Sequence, residues 1–257
     1  MIMAVRDVAV LARFGARLHW QDKIALTTAI ALPLALGLGL PALFARLGMP
    51  ASALLPAHLG LLATLLLLMS MNQIAVVLTV RRDQLVLKRL RATGMRDRDV
   101  LAGEIVNIAA QASLVSIALV LLARPLAGLT PPRDPLLLLV FLVAGALTLA
   151  LLGAAWTAAI PRSELAAAMT MPFFMLAGFS SGGFGPIAEL APAWVRTAFE
   201  LLPTSAVAEA ARIAYDPAGS PATDLAAAAG PALTLAVWAA IGLAATARWF
   251  RWEPRRS

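Results

Sequence analysis

Long apolar runs separated by short polar segments dominate the sequence. Six runs of about 20 or more residues carry few or no charges, namely 24–45, 54–80, 100–123, 135–160, 165–184 and 225–247. A bilayer core about 30 Å thick is crossed by about 20 apolar residues at a rise of about 1.5 Å each. The pattern therefore predicts an all-α integral membrane protein with six transmembrane helices in a single transmembrane domain, 1–257.

Three segments between or before these runs carry helical patterns of their own. Residues 1–23 place Arg6, Arg13 and Arg17 on one helical face, which favours an interfacial helix on the membrane surface over an unstructured arm. Residues 81–99 combine many charges with a small apolar stripe and predict a short amphipathic helix between two spans. Residues 185–224 contain two amphipathic pieces, 187–199 and 205–215, which predict short re-entrant helices in the outer leaflet before the last span.

Composition supports this assignment and leaves little room for a soluble domain. Hydrophobic residues make up 61% and charged residues only 14% of the chain, with a mean hydropathy of +0.83. A soluble domain has about 45–50% apolar and about 25% charged residues. The sequence contains no cysteine, which excludes disulfides, thiolate metal sites and thiol nucleophiles.

The distribution of basic residues predicts the orientation. With the N-terminus in the cytoplasm, 16 of the 21 lysines and arginines fall on the inner side and 5 on the outer side. The acidic residues divide 8 to 6, so the bias belongs to the basic residues, as the positive-inside rule requires. Both termini are therefore expected in the cytoplasm, and the net charge of +7 needs no nucleic acid to explain it.

Two groups of polar residues lie inside predicted spans. Asn72 and Gln73 fall near the middle of the second span, and Glu104, Asn107 and Gln111 share one face of the third. Polar residues at membrane depth are costly and usually face a partner helix or an aqueous path. These five residues are our candidates for a substrate path; interhelical hydrogen bonding is the alternative for the third span.

Several kinds of chemistry are excluded or poorly supported by the residues present. The two lysines do not fit a phosphate-binding loop, so this chain is not expected to hydrolyse ATP. The two histidines, His19 and His58, fall on opposite sides of the membrane, and no metal site is expected. Gly178 to Gly182 matches the Gly-x-Ser-x-Gly pattern of serine hydrolases, which leaves an intramembrane hydrolase using Ser180 and His58 as an alternative.

Two segments in this order resemble a known family. The stretch RRDQLVLKRLRATG, followed by a span, and the stretch SGGFGPIAELAPAWVRTAFELLPTSAVAEAAR after the fifth span resemble the permease subunits of type-2 ABC exporters. Daunorubicin-resistance-type drug exporters of bacteria belong to this family, and six spans with an N-terminal interfacial helix fit it over the whole length. Asp83 stands where the family commonly has Glu, and Gly94 where Pro is frequent.

The resemblance implies an exporter in the bacterial cytoplasmic membrane that moves an amphipathic drug, lipid or glycan-type substrate. It implies a homodimer of this chain with two copies of a separate ATPase, which binds ATP and magnesium, so that this chain has no cofactor of its own. Its ATPase-coupling residues would be Asp83, Leu87, Lys88, Arg89, Leu90 and Arg91. Its outer gate would include Ser180, Ser181, Phe184, Glu209 and Arg212. A membrane assembly subunit without transport activity is a further alternative, and so is a solvated basic loop at 81–99 that only fixes topology.

Overall fold

The computed structural model describes residues 30–86, 96–185, 190–250 and 252, and the regular structure within these residues is entirely helical. A π-helical turn, Leu68–Asn72, joins the second and third helices into one rod, and a 3-10 turn, Ser163–Leu165, precedes the sixth. In chain order the helices are α1 (Leu32–Arg46), α2 (Ala51–Leu67), α3 (Gln73–Asp83), α4 (Asp97–Ala127), α5 (Pro135–Trp156), α6 (Ala166–Ser181), α7 (Ala193–Glu200), α8 (Pro203–Tyr215), α9 (Pro221–Ala227) and α10 (Ala229–Trp249).

Four stretches of the described helices are long and apolar enough to cross a membrane, which confirms the all-α membrane class. They are Ala51–Asp83, Arg98–Ala127, Pro135–Trp156 and Ala229–Trp249, and they correspond to the predicted second, third, fourth and sixth spans. The shorter α1 and α6, of 15 and 16 residues, lie within the predicted first and fifth spans. The six-span count itself therefore stays a prediction.

Side-chain contacts identify the two ends of the bundle. At one end, Leu54 of α2 packs with Ala123 of α4 and Leu129, next to Phe44 of α1. At the opposite end, Leu78 of α3 and Ile105 of α4 pack in one apolar cluster, with Phe250 against it. The end of α3, the start of α4, the end of α5 and the end of α10 therefore meet on the side that the charge distribution assigns to the cytoplasm.

The π-helical turn brings the rod formed by α2 and α3 very close to α5. A Cβ atom on Gly153 would lie 2.4 Å from the Met71 carbonyl oxygen and 2.4 Å from Cγ2 of Ile74. Only glycine leaves room for this approach, and small residues at helix contacts are how membrane helices pack closely. The turn thus fixes the depth and rotation of Asn72 and Gln73 in the bundle.

The helix α8 lies inside the bundle, where it packs against α2, α5, α6 and α10. Ten of its thirteen residues are buried, and Val207 reaches Gly145 near the middle of α5. At its far end the Ala214 carbonyl accepts a hydrogen bond from the Asp134 backbone N–H at the start of α5. The predicted helix 205–215 therefore packs among the spans, which its many alanines allow, and its re-entrant placement in the outer leaflet stays a prediction.

The preceding helix, α7, differs from α8 in that none of its residues is buried, and Trp194 is 75% exposed. The turn between α7 and α8 is tied to α10 by a 2.7 Å hydrogen bond from Trp238 Nε1 to the Leu201 carbonyl. Trp238 lies near the midpoint of α10, so α8 runs from the middle of the bundle to its outer end.

Candidate functional site

The base of the predicted coupling segment is fixed to the bundle by three consecutive residues, Arg81, Arg82 and Asp83, which we call the inner anchor. Arg81 at the end of α3 forms an ion pair and hydrogen bond with Glu104 of α4. The Glu104 side chain is 4% exposed, so it relies on Arg81 for compensation of its charge. This pair connects the two helices between which residues 84–96 run.

Arg82 connects the same helix end to the loop after α5. It is only 2% exposed, and its guanidinium donates to the carbonyls of Thr157 at 3.1 Å and Ile160 at 2.8 Å. A guanidinium offers several donors in a fixed fork, which suits the capture of carbonyls at the end of a helix. The positive end of the side chain also meets the negative end of the α5 dipole.

Asp83 completes the inner anchor. Its Oδ2 accepts a 2.8 Å hydrogen bond from the Ser163 backbone N–H, immediately before α6. Two residues later, Leu85 takes a left-handed φ of 58°, a conformation that glycine usually supplies after a helix end. The chain therefore turns sharply as it leaves the anchor.

The other predicted coupling residues, namely Leu87, Lys88, Arg89, Leu90 and Arg91, lie outside the described residues, as does the predicted interfacial helix 1–23. Their contact with an ATPase stays a prediction. For Asp83 the observed partner is a backbone N–H of this chain, which indicates an internal role at the base of the segment.

Three of the amide residues predicted to line a substrate path form hydrogen bonds within the bundle. Asn72 Oδ1 accepts a hydrogen bond from Thr170 Oγ1 of α6. Asn107 Oδ1 accepts from Gln111 Nε2 at 3.2 Å along α4. Gln73 is half-buried next to Asn72. One of these bonds joins two helices and the other lies within α4, and the role of these residues as a path stays a prediction.

The predicted outer gate residues are brought together at the outer end of α6, in what we call the outer cluster. It comprises Gly60 and Thr64 of α2, the segment 180–184, and Glu209 and Arg212 of α8. The buried Ser181 Oγ lies 2.9 Å from both the Gly60 carbonyl and Thr64 Oγ1. Arg212 donates to the Ser181 carbonyl at 3.0 Å and pairs with Glu209 at 2.9 Å.

Glycines allow the backbones of α2 and the end of α6 to touch. A Cβ on Gly60 would lie 2.5 Å from the Ser181 carbonyl oxygen and 2.6 Å from the Gly182 carbonyl carbon. Gly182 itself has a φ of 83° at the end of α6, a conformation that disfavours a side chain. Phe184 folds back over Gly178, packing edge-on against Phe174 and Phe179 at centroid distances of 5.7 and 5.5 Å.

The hydrolase alternative finds no matching geometry in the described residues. Ser180 Oγ lies 3.3 Å from the Ala177 carbonyl and 3.4 Å from Thr204 Oγ1, and no hydrogen bond joins it to His58. His58 is buried next to the Gly37 backbone of α1, whereas Gly60, about 200° further round α2, faces Ser181. A helix, not the strand of a nucleophile elbow, precedes the serines.

Comparison with known families now decides the assignment. The family profile described as ABC-2 type transporter matches residues 6–215, which is most of the chain and includes both the inner anchor and the outer cluster. The chain belongs to the ABC-2 type transporter family. Among curated protein sequences, none is significantly similar to it.

As an ABC-2 family protein, this chain is a membrane-spanning permease component of an ABC transporter and not itself a catalytic subunit. The resemblance predicted from the two segments is thereby confirmed. The family normally pairs with an ABC ATPase, which accounts for a chain that contains no phosphate-binding loop.

Sequence reasoning missed the residues that complete these two sites in the ABC-2 permease. Arg81 and Arg82 were placed in the basic segment 81–99 without partners inside the bundle, although a guanidinium pair at the end of a span is a candidate for helix capping. Gly60 and Thr64 carried a signal in their spacing, since i and i+4 on one helix face reach the same neighbour. The carbonyl partners at 157–160 have no sequence signal, because any residue supplies a carbonyl.

Proposed function

We propose that this chain is the permease subunit of an ATP-driven exporter in a bacterial cytoplasmic membrane. Six spans cross the membrane with both termini in the cytoplasm, and two copies of the chain assemble with two copies of a separate ATPase. The exported substrate is an amphipathic drug, lipid or glycan-type molecule. ATP and magnesium are bound by the ATPase.

One observation supports the coupling role more than any other. The basic segment 84–96 follows directly after the inner anchor, where α3 is bound to α4, to the loop after α5 and to the start of α6. A force that the ATPase applies to this segment would therefore act together on α3, α4, the loop after α5 and the start of α6. Because ATP shifts only states that it binds unequally, the two transport states must differ in how the ATPase contacts this segment.

The proposed transmission ends at the outer cluster. The 3-10 turn before α6 begins at Ser163, which donates its backbone N–H to Asp83, and α6 ends at Ser181, whose carbonyl accepts from Arg212 of α8. Movement of α6 along its axis would pull on α8 and on the 180–184 segment. In this account the outer cluster is the external gate, and α7 and α8 are its re-entrant helices.

Co-purification with the cognate ATPase tests the proposal. Replacing Arg89 and Arg91 together by glutamine is expected to reduce association at least tenfold, since charge-assisted contacts are the strong ones. The matched control replaces two basic residues assigned to the outer side, Arg124 and Arg196, and is expected to leave association unchanged. Equal association of both double variants would contradict docking through this segment.

Asp83→Ala separates docking from transmission in the same assay. Because this change removes the acceptor for the Ser163 backbone N–H within the chain, the variant is expected to keep the ATPase bound while losing substrate-stimulated ATP hydrolysis. Loss of association with Asp83→Ala would instead assign Asp83 to the docking surface. The unsubstituted protein is tested in the same way in vesicles. If it binds the ATPase but shows no substrate-dependent ATP hydrolysis, the assembly-subunit alternative would be favoured.

A further inference from the structure

A cavity of about 890 Å³ lies in the inner half of the bundle, and none of the predicted path residues is among those that line it. Its walls come from the π-helical turn, α5, α6 and α10, and its outer end is closed by Leu202, Pro203 and Thr204 at the start of α8. Its inner end is formed by Arg248, Trp249 and Phe250. It therefore extends from the middle of the bundle to the end assigned to the cytoplasm.

Aromatic side chains are concentrated in this cavity. Trp156 and Phe173 pack edge-on with ring centroids 4.8 Å apart, and three of the six tryptophans of the chain line the walls. Pockets that hold apolar ligand bodies are lined in this way, with few polar groups that fix orientation. The aromatic residues of the lining are Trp156, Phe173, Trp238, Trp249 and Phe250.

Among the described residues that line the cavity, Arg248 is the only charged one. It is exposed near the end of α10, and within the described residues no acidic side chain pairs with it. A guanidinium at the rim of an apolar cavity binds carboxylate or phosphate with directional hydrogen bonds, and it repels cations. The charge therefore favours a ligand with an anionic group at the inner surface and an apolar body directed inward.

The closed end of the cavity is continuous with the outer cluster. Thr204 Oγ1 lies 3.4 Å from Ser180 Oγ, and the adjacent Leu201 carbonyl accepts the hydrogen bond from Trp238. A molecule in the cavity thus touches the turn between α7 and α8, and movement of that turn would open the cavity outward. The described contacts show no such connection to the outer cluster for the five predicted path residues, which are Asn72, Gln73, Glu104, Asn107 and Gln111.

We propose that this cavity, lined by Trp156, Phe173 and Trp238 with Arg248 at its rim, is where the exported substrate binds from the inner leaflet. The substrate is an amphipathic anion, with its acyl or aromatic body among the tryptophans and its anionic group on Arg248. This inference rests on the proposed export function and narrows its substrate class.

Photolabelling of the purified full-length permease in zwitterionic nanodiscs tests the proposal without any ATPase. The probes are a diazirine-bearing palmitic acid and the corresponding diazirine-bearing alcohol, which has the same chain and no charge. Mass spectrometry is expected to place the fatty-acid label on peptides that contain Trp156, Phe173 and Trp238. Label spread evenly over lipid-facing helices would overturn the proposal.

Two substitutions on adjacent residues of α10 give a matched comparison. Ala245 lines the cavity, whereas Ala244 is exposed and does not. Ala245→Trp is expected to reduce fatty-acid labelling at least tenfold, and Ala244→Trp is expected to leave it unchanged. Equal labelling of the two variants, each confirmed as folded by its melting temperature, would rule out the cavity as the site.

The charge is tested separately at the exposed Arg248, where substitution leaves the packing intact. Arg248→Gln is expected to weaken fatty-acid labelling about tenfold and to leave alcohol labelling as it was, because charge-assisted hydrogen bonds are lost. An equal change for both probes would contradict recognition of an anion.

A final arm distinguishes a substrate from a resident lipid. In vesicles that contain the permease and its ATPase, added ATP is expected to lower the fatty-acid label at least twofold as the probe is moved. A label that ATP does not change, in vesicles where ATP is hydrolysed, would identify a resident lipid and overturn the substrate assignment. Failure of any ATPase to bind would contradict the proposed function, while the ATPase-free labelling would still report on the cavity.

Discussion

At the scale of single residues, glycines matter in this permease because they leave room for neighbouring helices to approach closely. Gly60 lets the α2 backbone touch the end of α6, and Gly153 lets α5 touch the Met71 carbonyl. In a bilayer there is little hydrophobic force between helices, so close packing and buried hydrogen bonds hold the bundle together. Single methyl groups at such positions therefore have large effects.

Gly60→Ala is expected to lower the melting temperature of the detergent-purified protein. The new methyl group would lie 2.5 Å from the Ser181 carbonyl oxygen, so that α2 and α6 must separate, at about 1–3 kcal/mol of stability. Gly39→Ala is the control, because a Cβ there meets no atom within 4 Å. If the two variants melt at the same temperature, the close approach of α2 and α6 at the outer cluster is wrong.

At the residue scale, the sequence predicts which polar residues are unusual within an apolar helix. It does not predict their hydrogen-bond partners. The resemblance predicted an outer gate at Ser180, Ser181, Phe184, Glu209 and Arg212, and these residues lie near one another in the structure, while their role as a gate stays a prediction. Thr64 and Thr170, which bond to Ser181 and Asn72, were not selected, because threonine in an apolar helix commonly bonds its own backbone. Partner choice depends on helix rotation, which the sequence pattern leaves open.

Helices and their connections carry the next level of the account. The end of α3 is held on three sides by consecutive residues, so the basic segment after it has a fixed base. The pair of Arg81 and Glu104 is the part of this base that joins α3 to α4 across the segment. A buried carboxylate that loses its partner is strongly destabilising, while neutralising both partners costs little.

A double-mutant cycle tests this pairing. Arg81→Gln alone is expected to destabilise the protein by about 3–5 kcal/mol, because Glu104 is left buried without its counter-charge. Adding Glu104→Gln is expected to recover most of that loss. Arg98→Gln, at a side chain that is 73% exposed, serves as the control with little effect. Additive losses from the two single changes would contradict the contact between α3 and α4.

Hydropathy predicted where the helices lie along the chain better than it predicted which elements surround each helix. The predicted bounds of the second, third, fourth and sixth spans agree with the observed helices to within about four residues at each end, because long apolar runs fix both length and type. The packing of α8 between the spans could not be predicted from the sequence, for a physical reason. An alanine-rich amphipathic helix suits a membrane surface and a tight bundle interior equally well, and only its neighbours decide.

The molecule as a whole is a membrane permease whose sequence contains no phosphate-binding loop for ATP. The inner anchor, the aromatic cavity and the outer cluster follow one another from the side assigned to the cytoplasm to the opposite end of the bundle. Proteins of the ABC-2 family normally pair with a separate ABC ATPase. Neither the substrate nor the pairing of two permeases is encoded in any local motif, because both depend on surfaces that form only after folding and assembly.

The central claim is that the basic segment after the inner anchor faces the cytoplasm and meets the ATPase. Since the chain contains no cysteine, a single Arg89→Cys change gives one reactive thiol, and Ala218→Cys near α9 gives a matched thiol on the opposite side. In intact cells a membrane-impermeant maleimide is expected to label Cys at 218 and not at 89, with the reverse in inverted vesicles, where a bound ATPase protects position 89. Labelling of position 89 in intact cells would contradict the account.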